Sequence, residues 1–232
     1  MRGANIKAQT YSLVIFITKA IVLAWMICAM GCTAKISSDL PPPNGDTGRN
    51  TKPKKWLALG DSYTIGQGVT PDERFPHQAA AMLGMQGKIF ATPHYTAATG
   101  WTTGSLLYAL ESNPPMGTFD VVSLLIGVNN QYQGRSASEY AIQFGQSLQK
   151  ALSLAGGKKE RVVVLSIPDY SVTPFARRLD TSRISSEIDL FNSINKRLAD
   201  SAGVAWFDIT TGSRLVATDK SLLCPDSLHY SG

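Results

Sequence analysis

The sequence predicts a three-layer α/β/α domain on a parallel sheet, and two observations carry the prediction. From Trp56 onward, short runs of apolar and β-branched residues alternate with longer stretches of helical periodicity. Two of the runs, FDVVSLLIG (119–127) and RVVVLSIP (161–168), are almost continuously apolar where a half-exposed strand would alternate. Strands buried on both faces of a parallel sheet have that composition.

WLALG (56–60) is the first strand, a helical stretch follows over Phe75 to Leu83, and KIFAT (88–92) is the second strand candidate. A helix near Thr103 to Glu111 leads into the third strand, within 119–127. Ser136 to Ala155 reads as a helix with Tyr140, Ile142, Phe144, Leu148 and Leu152 as its apolar residues. Ser136 or Ser138 caps it, and Gly156-Gly157 ends it. The fourth strand lies in 161–168. Ile184, Ile188, Phe191, Ile194 and Leu198 then recur at three and four residue intervals, a single stripe on a helix ending near Ala202. VAWFDI (204–209) is the last strand. Ligands in such sheets bind beyond the carboxyl ends of the strands. Ser62, the segment 127–130 and the segment 166–170 are therefore expected on one edge.

The 232 residues, 44% hydrophobic and 17% charged, suffice for one globular domain with a sizeable core. The formal net charge of +5 belongs to the N-terminal part. Arg2, Lys7 and Lys19 stand without an acid in residues 1–32, and residues 33–55 hold five bases against Asp39 and Asp46. Residues 56–232 carry 14 basic and 15 acidic side chains. Without a basic stripe there, the counterion release that drives nucleic-acid binding has no source, and no nucleic-acid partner is expected.

Residues 1–31 have the layout of an export signal: a basic region ending at Lys19, the apolar run AIVLAWMICAM, then Gly31-Cys32. The run is short for a bilayer span. Extending it back to Tyr11 buries Lys19 at roughly 2.5–3.5 kcal/mol near the midplane. AMGC (29–32) resembles the lipobox of bacterial lipoproteins, with Ala29 where that motif usually has Leu. The resemblance implies lipidation at Cys32 and an exported protein anchored to a membrane of the bacterial cell envelope. An ordinary cleavable signal and a single-pass anchor stay open as alternatives. Residues 32–55 are rich in Pro, Gly, Ser, Thr, Asn and charge, and read as a flexible tether to a domain over 56–232. Cys28 lies in the leader and Cys32 is the lipid candidate, so the mature domain has Cys224 alone, with no disulfide to make; a small buried hydrophobe is its expected role.

A serine hydroxyl becomes a nucleophile when a base takes its proton, and that base needs a partner to fix its tautomer. Of the three histidines, His77 at a helix start and His94 beside Tyr95 read as structural. His229 has Asp226 three residues before it in PDSLHYSG, a step that brings a carboxylate back to the imidazole across a turn. An N-capping Asp beside a surface His is the plainer account of that pair. Acyl transfer also needs donors for the developing oxyanion. Gly100, in TAATGWTTGS, permits close backbone approach and offers its N–H; Asn129, in LLIGVNNQY, offers its amide. Each also fits an ordinary turn or loop role.

These segments, in this order, resemble the SGNH hydrolases, or GDSL esterases and lipases, over roughly residues 55–232. GDSYT (60–64) looks like the first family block, Gly100 matches the second, GVNN (127–130) the third and Asp226-x-x-His229 the last. The resemblance implies a flavodoxin-like α/β/α fold and ester or thioester hydrolysis through an acyl-serine. It implies Ser62, Asp226 and His229 as the catalytic set, Ser62, Gly100 and Asn129 as oxyanion donors, and no metal or cofactor. Two departures stand out. Asn130 occupies the position where the family usually has Asp, and the chain runs three residues past His229 where relatives continue into a closing helix. Two expectations stay open: a natural end at Gly232, with the closing helix missing, a weakly held His229 loop and low activity, or a truncated reading of a longer chain.

The implied substrates are small-molecule, lipid or glycan acyl esters, with Trp101, Tyr132 and Tyr170 as candidate liners that serve equally well in a core. A catalytically weak, glycan-binding member of the same fold is the alternative. A purely structural envelope lipoprotein is the third reading.

Overall fold

The computed structural model describes residues 52–232. The expected leader, the lipidation candidate Cys32 and the tether up to Thr51 lie outside the described residues. Five strands form one parallel sheet: β1 (Trp56–Gly60), β2 (His94–Ala97), β3 (Val121–Leu125), β4 (Val162–Leu165) and β5 (Ala205–Phe207), in the order β2-β1-β3-β4-β5. The longer helices are α2 (Phe75–Gly84), α3 (Thr103–Ser112), α5 (Ala137–Leu154) and α6 (Thr181–Ala202). Three short ones, α1 (Ser62–Ile65), α4 (Val128–Tyr132) and α7 (Thr210–Ser213), each follow a strand.

Every residue of β1 and β3 is buried, and the pleat sends alternate side chains to opposite faces. Leu57, Leu59, Val122 and Leu124 join the core under α3, α5 and α6; Trp56, Ala58, Val121 and Leu125 join the one under α2 and residues 209–230. The three expected layers follow from that alternation. On α5, Tyr140, Phe144, Leu148 and Ala151 are buried at four and three residue steps, and Ser136 Oγ caps the helix by accepting from Glu139 N. Ile142, expected among the apolar residues of this helix, lies off the stripe and is 65% exposed. On α6 the predicted stripe packs inward, with Phe191 stacked on Tyr140 at 4.4 Å between ring centroids. Such a pair adds about 0.5–1.5 kcal/mol beyond its buried area.

The second strand differs from the expectation. KIFAT makes a single bridge, Lys54 to Phe90, and the ladder with β1 begins at His94. Pro93 has no N–H to give a ladder, and it separates the two segments. As an edge strand, β2 (HYTA) is half-buried and mixes polar with apolar residues, so it leaves no apolar run to read. Pairing also starts before Trp56: Lys54 N donates to Ile89 O and Lys55 N to Asp120 Oδ2, so the last residues of the expected tether are bound to the domain. No described helix is long and apolar enough to cross a membrane.

The chain leaves β1 for β2 on one side and returns to β3 on the other, so the strand order reverses between β1 and β3. A crevice opens at the carboxyl ends of such a pair. Ser62 follows β1, and Val128 and Asn129 follow β3.

Candidate active site

Asp61 turns the chain sharply out of β1. It is the N-cap of α1, and its Oδ1 accepts from Tyr63 N at 3.0 Å. Thr64 Oγ1 reaches Leu125 O at 3.4 Å and ties α1 to the end of β3. A Cβ on Gly60 would run into both Thr64 Oγ1 and Leu125 O, so the approach needs glycine there. Ser62 begins the helix, where backbone N–H groups have no partner within the helix.

Asp61 is buried, and burial pushes its carboxyl up from 3.8 to about 7 against the pull of the backbone N–H groups of Tyr63 and Asp61. Its folded value lies above its unfolded one. Between about pH 4 and pH 7 the folded chain therefore holds a proton that the unfolded chain has lost, and stability falls as pH rises through that window. Asp61→Asn keeps an acceptor for Tyr63 N–H and removes the titration. Urea unfolding at pH 5 and pH 8 is expected to show a smaller loss of stability in the variant than in the wild type, by at most on the order of 3 kcal/mol. Equal losses in the two proteins contradict the assignment.

The loop carrying His229 is held from several sides, contrary to the expectation of a weakly fixed one. Leu223 and Tyr230 form an antiparallel bridge, Cys224 N donates to His229 O at 2.8 Å, and Ser231 N donates to Leu222 O at 2.8 Å. Tyr230 Oη reaches Asp169 O at 3.3 Å. The buried Cys224 thiol sits 3.2 Å from Tyr230 O, and burial pushes its pKa up. No helix follows His229 among the described residues. The local hydrogen bonds supply the hold.

Within the loop, Ser227 adopts a left-handed conformation (φ 63°) that folds His229 back over Asp226. Asp226 Oδ1 accepts from Leu228 N and His229 N at 3.0 and 2.9 Å, an Asx-type turn. Asp226 Oδ2 lies 2.6 Å from His229 Nδ1, and His229 Nε2 lies 2.8 Å from Ser62 Oγ. Partial burial works against the Asp226 charge, but the His229 ring and the two backbone N–H groups hold its carboxyl below the ordinary value. Ser62 and His229 are both buried.

On the β3 side, Asn129 Nδ2 donates to Trp101 O at 3.0 Å, and Gln133 Nε2 donates to Gly100 O at 3.3 Å. These bonds attach the Gly100 loop to α4. Gly100 has φ 78°, and nothing lies within 4 Å of where a Cβ would stand. Ser62, Asn129 and His229 line one cleft of about 120 Å³, walled by Tyr132, Tyr170 and Phe175. Gly100 stands outside that lining, and Trp101 packs on the core instead. Gly127 (φ 136°) lets the β3 end pass over the Tyr140 ring, where a Cβ would come within 2.6 Å.

Residues 58–232 match the model of the GDSL-like lipase/acylhydrolase family. The chain belongs to this family. By family it is an esterase-type hydrolase. Among solved structures, the chain is similar to the lipase/acylhydrolase from Enterococcus faecalis, at 18% identity and a TM-score of 0.57, over 77% of this chain and 87% of that one. It is also similar to an acetylxylan esterase from Geobacillus stearothermophilus, at 17% identity and a TM-score of 0.59, over 77% and 87%. A third is AlinE4, an SGNH-hydrolase family esterase, at 21% identity and a TM-score of 0.56, over 77% and 86%. At these identities the likeness is one of fold. No curated protein matches the sequence.

In this GDSL-family hydrolase the Asn130 departure has a local reason. Fully buried, it accepts from Thr103 N at 2.9 Å and donates to Thr103 Oγ1 at 2.7 Å. The Thr103 hydroxyl is thereby turned to donate to Gln143 Oε1 at 2.6 Å. The amide fits that donor direction and pins α3 to α4. His77 pairs with Tyr95 Oη at 2.9 Å and exposed His94 lies edge-on to Phe119, both as expected of structural histidines. Sequence reasoning did not single out Phe175, Leu228 or Gln131. Phe175 lines the cleft from a turn distant in sequence, Leu228 does so beside His229 without a motif of its own, and Gln131 acts through a side-chain relay with no local signature.

Proposed function

We propose that the protein is a serine esterase that cleaves carboxylic esters through an acyl-serine at Ser62. The observation that carries this reading is the continuous contact from Asp226 through His229 to the Ser62 hydroxyl. With Nδ1–H donating to the Asp226 carboxylate, His229 Nε2 is left as the base for the serine. Ser62 Oγ attacks the acyl carbon as its proton passes to Nε2, and Asp226 stabilises the imidazolium. The Ser62 N–H and the Asn129 amide receive the oxyanion, while Gly100, expected as a third donor, lies outside the cleft lining. His229 then protonates the departing alcohol. Water repeats the sequence and releases the acid.

Asn129 supports the donor role because one amide N–H is spent on Trp101 O, which fixes the group, while the second stays free for the cleft. Purified protein mixed with p-nitrophenyl butyrate and quenched in acid is expected to carry one butyryl group by intact mass. Hydrolysis without any covalent adduct, under conditions where deacylation is slowed, contradicts the acyl-serine.

A further inference from the structure

We propose that the cleft beside Ser62 is an acyl pocket selecting short apolar acyl groups, walled by Tyr132, Tyr170 and Phe175 and kept in shape by a relay from Tyr170 through Gln131 to Glu187. The inference rests on the Ser62 reading above and names its substrate class.

Size comes first. The cleft offers about 120 Å³, somewhat less than the ~150 Å³ apolar cavity that takes up benzene. A tail of a few carbon atoms fills it. Its chemistry points the same way. Beyond Ser62, Asn129 and His229, the lining is aliphatic or aromatic; of its three tyrosine hydroxyls the Tyr170 one is already engaged and the Tyr63 one is buried without a partner. A sugar buried there would find too few partners for its several hydroxyl groups, which disfavours it. An acyl tail has none to pair.

The wall is a triangle of rings with centroid separations of 6.2, 6.0 and 6.3 Å. Tyr170 is its fixed corner. It is buried, and its hydroxyl donates to Gln131 Oε1 at 2.7 Å; Gln131 Nε2 donates to Glu187 Oε2 at 2.8 Å, and Arg183 Nε holds the other carboxylate oxygen at 2.8 Å. Gln131 sits two residues after Asn129 on α4, so the relay sets the wall and the amide together. Phe175 is the opposite case. It is 43% exposed, and its backbone N donates to Ser227 O, which ties its turn to the loop that carries His229.

The test is kcat/KM for p-nitrophenyl acetate, butyrate, octanoate and decanoate, alongside fluorophosphonate labelling of Ser62. Wild type is expected to peak at acetate or butyrate and to fall at least about 10-fold at octanoate. Pockets discriminate by about 10-fold or more per misfitted methylene. Phe175→Ala is expected to raise the octanoate-to-butyrate ratio about 10-fold. Glu187→Ala is expected to raise KM for butyrate several-fold with a smaller change in kcat. Glu187→Gln, which keeps an oxygen for Gln131, is expected to restore KM. A wild type that prefers octanoate or decanoate while Ser62 is labelled overturns the pocket alone, as does an unchanged ratio in Phe175→Ala. An unlabelled Ser62 overturns the esterase reading and the pocket with it.

Discussion

Ser62→Ala is expected to reduce hydrolysis of p-nitrophenyl butyrate to the uncatalysed background while leaving the fold intact. The substitution deletes the one atom that His229 Nε2 holds at 2.8 Å and that the proposed mechanism makes nucleophilic. In a Ser–His–Asp hydrolase, loss of the serine costs about a millionfold in kcat. Folding loses little. Ser62 contributes to α1 through its backbone, since the cap is Asp61 and the tie to β3 is Thr64, and neither is touched. Thermal unfolding by circular dichroism separates the two effects. Retention of a tenth or more of wild-type turnover in a folded variant contradicts the assignment.

Asn129→Ala is the second large effect, an expected fall in kcat of about 100 to 1,000-fold with a much smaller change in KM. The donor acts on charge that develops in the transition state, so ground-state binding should feel its loss weakly. The same amide also holds Trp101 O at 3.0 Å. Loss of that bond is expected to cost about 0.5–1.5 kcal/mol of stability, far too little to account for the rate. A loss in kcat under 10-fold, or one matched by a large rise in KM, places the oxyanion elsewhere.

Much of this arrangement was legible in the sequence because it rests on local pattern. β1, β3 and β4 are buried on both faces, so their apolar runs mark them directly. Ser62, Asn129 and the Asp226–His229 pair could be read because each falls within a few residues of a strand end or turn. β2 was displaced because an edge strand with one polar face carries no such run, while the nearby apolar KIFAT does. One-turn helices such as α1 and α4 are too short to show periodicity.

The hold on the His229 loop was missed for a different reason. It comes from Leu223, Cys224 and Tyr230 closing a local bridge and from Tyr230 reaching Asp169, relations that a search for a closing helix overlooks. The Tyr170–Gln131–Glu187 relay joins three segments far apart in the chain, so no spacing announces it. Gly100 marks the reverse case. Its motif is plain in sequence, yet it lies outside the lining of the cleft and is linked to it through Trp101 and Gln133.

The most direct test of the central claim is to label the purified protein with a fluorophosphonate and map the adduct by peptide mass spectrometry. The contact of Ser62 Oγ with His229 Nε2 predicts a single adduct on Ser62, absent from Ser62→Ala and strongly slowed in His229→Ala. An adduct on another residue, or a folded wild-type protein that hydrolyses esters with Ser62 unlabelled, contradicts it.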